Sequence, residues 1–104
     1  MRDALIVSTA RTPLTKSYRG TFNNTTAPTM AGWAIREAVK RSGVDPNKGD
    51  DVIMGAALQQ GTTHANVARN AALAAGLPVT VSGMSLDRQC SSGMMAISTA
   101  AKQI

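Results

Sequence analysis

"SLDRQCSSGMMAIS" occupies residues 85–98, and its two halves ask for different backbones. Up to Leu86 it completes "TVSGMSL" (80–86), a short run that reads as a buried strand. From Ser91 onward the residues are small or apolar and the pattern is helical. Asp87, Arg88, Gln89 and Cys90 lie between, and Cys90 is the single cysteine of 104 residues. A strand that turns sharply into a helix is one βα unit.

The same order recurs toward the N-terminus. "HANVARNAALAAG" (64–76) reads as a helix with Val67, Ala68, Ala71, Ala72 and Ala75 on its inner face, stopped by Gly76 and Pro78. "DVIMGAAL" (51–58) before it is a strand in which Gly55 allows close backbone approach. "VDPNKGD" (44–50) is a turn. "PTMAGWAIREAVKRS" (28–42) is a helix, with Pro28 suited to its first turn and Gly43 to the position after its end. Ala31, Ala34, Ile35, Ala38 and Val39 form its apolar face. Arg36, Glu37, Lys40 and Arg41 form the charged face, and Trp33, on the charged side, is expected to be partly buried against a neighbour. "LTKSYRGTFNNTTA" is a polar loop whose 14 residues are long for a compact domain, which favours a functional or interface role. "DALIVS" (3–8) reads as the first strand, ending at Arg11-Thr12-Pro13.

The order β-α-β-α-β-α predicts an α/β fold: three βα units with a mainly parallel sheet flanked by helices. No internal repeat or low-complexity segment interrupts it. The last helix is apolar or small on every side from Met94 to Ala101, which is the pattern of a helix buried all round. Three strands supply too little mass to surround it, and no Gly, Asn or Pro ends it at "AKQI". Both features lead to the expectation that residues 1–104 are the front of a longer domain, with any chemistry incomplete.

The net charge of +5 is scattered, with no basic run interleaved with aromatics, so nucleic acid is not expected as a partner. A mild positive field suits a small anionic substrate, and a solvated surface explains it equally well. A lone cysteine makes no internal disulfide, which points to a reducing compartment or leaves the compartment open. No apolar run approaches the roughly 20 residues of a membrane span, and "MRDALIVSTARTP" has too short an apolar centre for a signal peptide. The expectation is a soluble cytoplasmic protein with no metal; an organelle remains open for a eukaryotic source.

Cys90 admits two readings. In open parallel sheets ligands gather at the carboxyl ends of strands, and Cys90 lies there, at the start of a helix. The first amides of a helix have no partners within it and carry roughly half a positive charge. They stabilise a thiolate and can hold the oxyanion formed when it attacks a carbonyl. Ser91 and Ser92 suit a helix start, and Gly93 keeps bulk away from the turn. The layout matches that of a serine nucleophile elbow in geometry, not ancestry. Against this stands an inert, buried cysteine, although Cys90 is flanked by Asp87-Arg88-Gln89 and two serines rather than by an apolar run.

Three stretches in order, "IVSTARTP", "NVARNAALAAGLP" and "RQCSSGMMAI", give the chain a resemblance to the N-terminal part of the thiolases, the acetyl-CoA acetyltransferases and 3-ketoacyl-CoA thiolases. The resemblance covers essentially the whole chain and implies the nucleophile-bearing front of a layered α-β-α domain. It implies that Cys90 accepts an acyl group from acyl-CoA as a thioester, with its own N–H helping to hold the oxyanion. The acyl group then passes to CoA, in thiolysis of a 3-ketoacyl-CoA, or to the α-carbon of acetyl-CoA, in a Claisen condensation. No cofactor is implied beyond CoA thioesters as substrates, and no CoA-binding residue is assigned. The activating histidine, second cysteine and Asn-containing motif of the family lie farther downstream, so the 104 residues alone are expected to be inactive. His64 matches no catalytic motif and is expected to be a surface or capping residue. Asp87 stands where thiolases often carry Asn; its carboxylate opposes a neighbouring thiolate, and Arg88 offsets it. The resemblance further implies a homodimer or homotetramer with Val81–Arg88 near the twofold axis, and the remainder of a thiolase chain as partner. The alternatives are a ketoacyl synthase-like condensing enzyme, whose cysteine usually comes much later in the chain, and a non-catalytic α/β binding module.

Overall fold

A computed structural model describes residues 2–104. Helix α1 spans Ala27–Ser42, strand β1 Asp51–Gly55, helix α2 Val67–Ala75, strand β2 Ser82–Leu86 and helix α3 Ser92–Lys102. The strands pair in parallel, from Asp51 opposite Ser82 to Gly55 opposite Leu86. Further bonds extend the pairing at both ends, Ser82 N–H to Asp50 O at 3.1 Å and Ala56 N–H to Leu86 O at 2.9 Å. Helix α2 is the crossover between them, so β1, α2 and β2 form one βαβ unit.

Alternation along the strands sets the layers. Gly83 and Ser85 face α2: Arg69 backbone lies against Gly83, and Ala68 N–H donates to Ser85 Oγ at 3.0 Å. Gly55 faces the opposite way, against the backbone of Ser92 and Gly93 at the start of α3. Helices α2 and α3 therefore cover opposite faces of the sheet, with α1 packed on α2, which is an α-β-α layering.

Helix α2 is the centre of the core. Its five buried residues, Val67, Ala68, Ala71, Ala72 and Ala75, are those its 3.6-residue period assigns to the inner face. Alanine lets the backbones approach: Gly32, the buried residue of α1, lies against Ala74 and Ala75. Arg36, which the periodicity places on the charged face, reaches across that contact to the last turn of α2. It donates to Ala74 O at 3.0 Å and Ala75 O at 3.3 Å, satisfying carbonyls that a helix end leaves free. Gly76, in the left-handed region at φ 83°, closes α2, as Gly43 at φ 69° closes α1.

Two expectations are modified. Segment 3–8 forms no ladder with the sheet, which has two strands among the described residues. It runs beside α1, tied by Ser8 Oγ to Ala38 O at 2.7 Å and by Arg41 to Thr9 O at 2.9 Å. Leu5, Ile6 and Val7 are exposed. An apolar run becomes a strand only where a sheet edge meets its backbone groups, and here the segment is held to α1 through the Ser8 hydroxyl and the Thr9 carbonyl rather than through a ladder. Second, β1 ends at Gly55 rather than residue 58, because Leu58 takes a positive φ of 55° and turns the chain out of the sheet. Helix α3, apolar or small on every side, is covered on one side only among the described residues, in keeping with the too-small mass available to surround it. Ser92 and Ala96 are buried, while Met94 is 73% and Ile97 60% exposed, because the sheet covers one side of α3.

The apolar face of α1 is likewise only half-buried apart from Gly32. Helix α1 leans on α2 and leaves hollows between itself and β1, one bounded by Ala31, Ala34 and Met54 and another by Ile35, Val39 and Val52. Trp33 remains 44% exposed and packs on Phe22 of the preceding loop, ring centres 6.1 Å apart and tilted by 57°. Among the described residues no helix is long and apolar enough to cross a membrane.

Candidate active site at the β2–α3 junction

Cys90 lies four residues beyond the end of β2 and two before the start of α3, and its side chain is exposed. The packing of this chain does not bury it as an inert core cysteine. The turn that carries it is tightly bonded. Gln89 takes a positive φ of 50°, a left-handed conformation that opposes a side chain by about 1 kcal/mol. Asp87 Oδ1 accepts from Gln89 N–H at 2.8 Å and closes an Asx turn. Ser91 N–H donates to Arg88 O and Ser92 N–H to Gln89 O, both at 3.1 Å.

The two serines do different work. Ser91 occupies the N-cap position but makes no capping bond. Its hydroxyl turns back and donates to Arg88 O at 2.8 Å, so no serine hydroxyl takes up the first-turn amides of α3 beside Cys90. Ser92 is buried, 4% exposed. Its hydroxyl accepts from Arg88 N–H at 2.8 Å and donates to Gln89 O at 2.6 Å. Gly55 lets this segment sit against β1; a Cβ there would collide with Ser92 and Gly93 backbone. Gly93 has open space where a Cβ would go, so its small size is not required by packing within this chain.

Behind the turn, β2 is tied to α2 by two residues that the periodic reading passes over. Asn66, at φ 62°, caps α2 by accepting from Arg69 N–H. Its amide also donates to Gly83 O at 2.7 Å, and its carbonyl accepts from Ser85 Oγ at 3.2 Å. Arg69 donates to Val79 O at 2.9 Å and to Val81 O. An Asn directly before an apolar periodic run is a helix-start signal, and it would have moved the expected start from residue 64 to the observed Val67. His64 lies just outside the helix, exposed, with Nδ1 2.7 Å from Gly61 O. No group of three His, Cys, Asp or Glu residues able to hold a metal occurs among the described residues.

The arrangement can present one accessible sulfur at the carboxyl end of a parallel strand, beside the positive end of an 11-residue helix. Arg88 and Asp87 are both exposed next to it.

Comparison with known proteins identifies the family. A 3-ketoacyl-CoA thiolase of Acinetobacter baumannii (strain AYE) is 41% identical over 103 residues, covering 99% of this chain and 26% of the relative. A 3-ketoacyl-CoA thiolase of Bacillus subtilis is 38% identical over 104 residues, covering all of this chain and 27% of the relative. The crystal structure of the Bacillus anthracis acetyl-CoA acetyltransferase superposes with a TM-score of 0.91 at 47% identity, covering 100% of this chain and 26% of that one. The chain thus spans about a quarter of the length of these relatives. Residues 4–104 match the family model described as "Thiolase, N-terminal domain", and the chain belongs to the thiolase family through that domain.

Proposed function

We propose that this chain is the nucleophile-bearing part of an acyl-CoA C-acyltransferase and that Cys90 is the residue acylated. The observation that carries the proposal is the position of its one thiol: exposed, at the end of β2 and at the start of α3, in a chain of the thiolase family. The thiolate attacks the thioester carbonyl of acyl-CoA, and the Cys90 N–H and the positive end of α3 oppose the charge on the tetrahedral oxygen. Collapse expels CoA thiolate and leaves an acyl-Cys90 thioester. Attack by CoA thiolate returns the acyl group in thiolysis; attack by the α-carbanion of acetyl-CoA gives the 3-ketoacyl product in condensation. A thiolate is a strong nucleophile and a good leaving group, so the covalent step runs both ways.

Proton transfer in this reading falls to a histidine and a second cysteine, and Cys90 is the one cysteine among these residues. Their one histidine, His64, is engaged with Gly61 O. The 104 residues therefore act with the remainder of a thiolase chain, and alone they do not turn over acyl-CoA. The working form is a cytoplasmic homo-oligomer that uses CoA thioesters as substrates and needs no separate cofactor.

Alkylation tests the proposal. In the protein expressed from its complete reading frame, iodoacetamide should modify Cys90 rapidly, and saturating acetyl-CoA should protect it. Slow modification without protection would identify a non-catalytic module instead.

A further inference from the structure

We propose that Ser92 is a positioning residue for the Cys90 sulfur, a role that rests on Cys90 being the acyl acceptor. A hydroxyl offers one donor and two acceptor sites, and Ser92 uses both kinds on the two residues immediately before Cys90. It accepts from Arg88 N–H and donates to Gln89 O. With Ser92 N–H also on Gln89 O and Ser91 N–H on Arg88 O, residues 88–92 close into a ring of hydrogen bonds from which the Cys90 side chain projects.

The ring holds Gln89 in the left-handed conformation that a side chain resists, and it sits on β1 through the contact of Ser92 backbone with Gly55. A serine serving only the helix would lend its oxygen to the amides of the next turn. Ser92 instead points backward, and its burial shields both bonds from water. Ser91 cannot replace it, because its exposed hydroxyl reaches only Arg88 O. Without the Ser92 hydroxyl, Arg88 N–H and Gln89 O each lose a partner, Gln89 relaxes, and Cys90 leaves its position.

The test uses the protein from its complete reading frame, with single-turnover thioester formation, KM for acetyl-CoA, iodoacetamide alkylation and thermal midpoint measured together. Ser92→Ala should slow thioester formation by about 10- to 100-fold, with KM within about twofold. Ser91→Ala should stay within about threefold. Ser92→Thr restores the hydroxyl, and Gln89→Gly added to Ser92→Ala removes the penalty at φ 50°; at least one of them should recover most of the rate. The proposal is overturned if Ser92→Ala keeps its rate, if neither rescue works, or if activity falls only in proportion to the folded fraction. Alkylation separates this inference from the one beneath it. If the wild type forms no thioester, the acyl-acceptor reading fails. Equal alkylation rates for wild type and Ser92→Ala would remove the positioning role by itself.

Discussion

Gly55→Ala is the substitution whose effect the packing defines most closely. The added Cβ would lie 2.5 Å from Gly93 N and against the carbonyl group of Ser92. Ordinary contact begins near 3.4 Å, and these are backbone atoms that cannot rotate aside. Either β1 or the first turn of α3 must retreat by about 1 Å, and overpacking of this kind costs about 1–3 kcal/mol. In urea the midpoint should fall by about 1 M with an unchanged slope. The retreat moves the ring that carries Cys90, so thioester formation should slow by up to about 100-fold. Gly83→Ala is the matched control. Its Cβ would lie 2.6 Å from Arg69 N and Cα on the opposite face of the sheet, so it should destabilise by a similar amount and slow Cys90 chemistry far less. A Gly55→Ala loss below about 0.5 kcal/mol, the ordinary range for surface changes, would refute the reasoning. So would equal slowing by the two variants.

Two further outcomes are expected. Gly93→Ala meets open space inside α3, so it should stabilise the protein by about 0.4–1 kcal/mol through the unfolded state, read as a higher urea midpoint; a lower midpoint would mean that something outside this chain packs there. Asn66→Ala removes the α2 cap and the bonds to Gly83 O and Ser85 Oγ, and should cost about 1–2 kcal/mol, with faster amide exchange at Gly83 and Ser85 than at Ala75.

Much of the fold is legible because local rules and packing agree at particular residues. The α2 face from Val67 to Ala75 follows from its period, and Gly43 and Gly76 mark helix ends through their left-handed conformations. Gly55 is readable as a close approach, though not as an approach to Ser92. What local rules miss depends on partners distant in sequence. "ALIV" at 4–7 has strand composition, but its ladder depends on a sheet edge that it does not meet. The apolar surround of α3 outruns what this chain can cover, as its small mass implies, but which side the sheet covers, that of Ser92 and Ala96, is set by tertiary packing. Arg36 and Arg69 look like surface charges until tertiary packing brings helix-end and loop carbonyls to them. At the candidate site, the position of Cys90 between strand and helix is readable from composition. The backward turn of the Ser92 hydroxyl is not, since a serine near a helix start ordinarily signals a cap.

The most direct measurement is mass spectrometry of the protein from its complete reading frame, quenched in acid after brief exposure to acetyl-CoA. An acyl-acceptor role for Cys90 requires one acetyl group on the peptide that contains it, removed by added CoA and absent in Cys90→Ala. An enzyme that turns over while its Cys90 stays unmodified, or that carries the acetyl group on another residue, would contradict it.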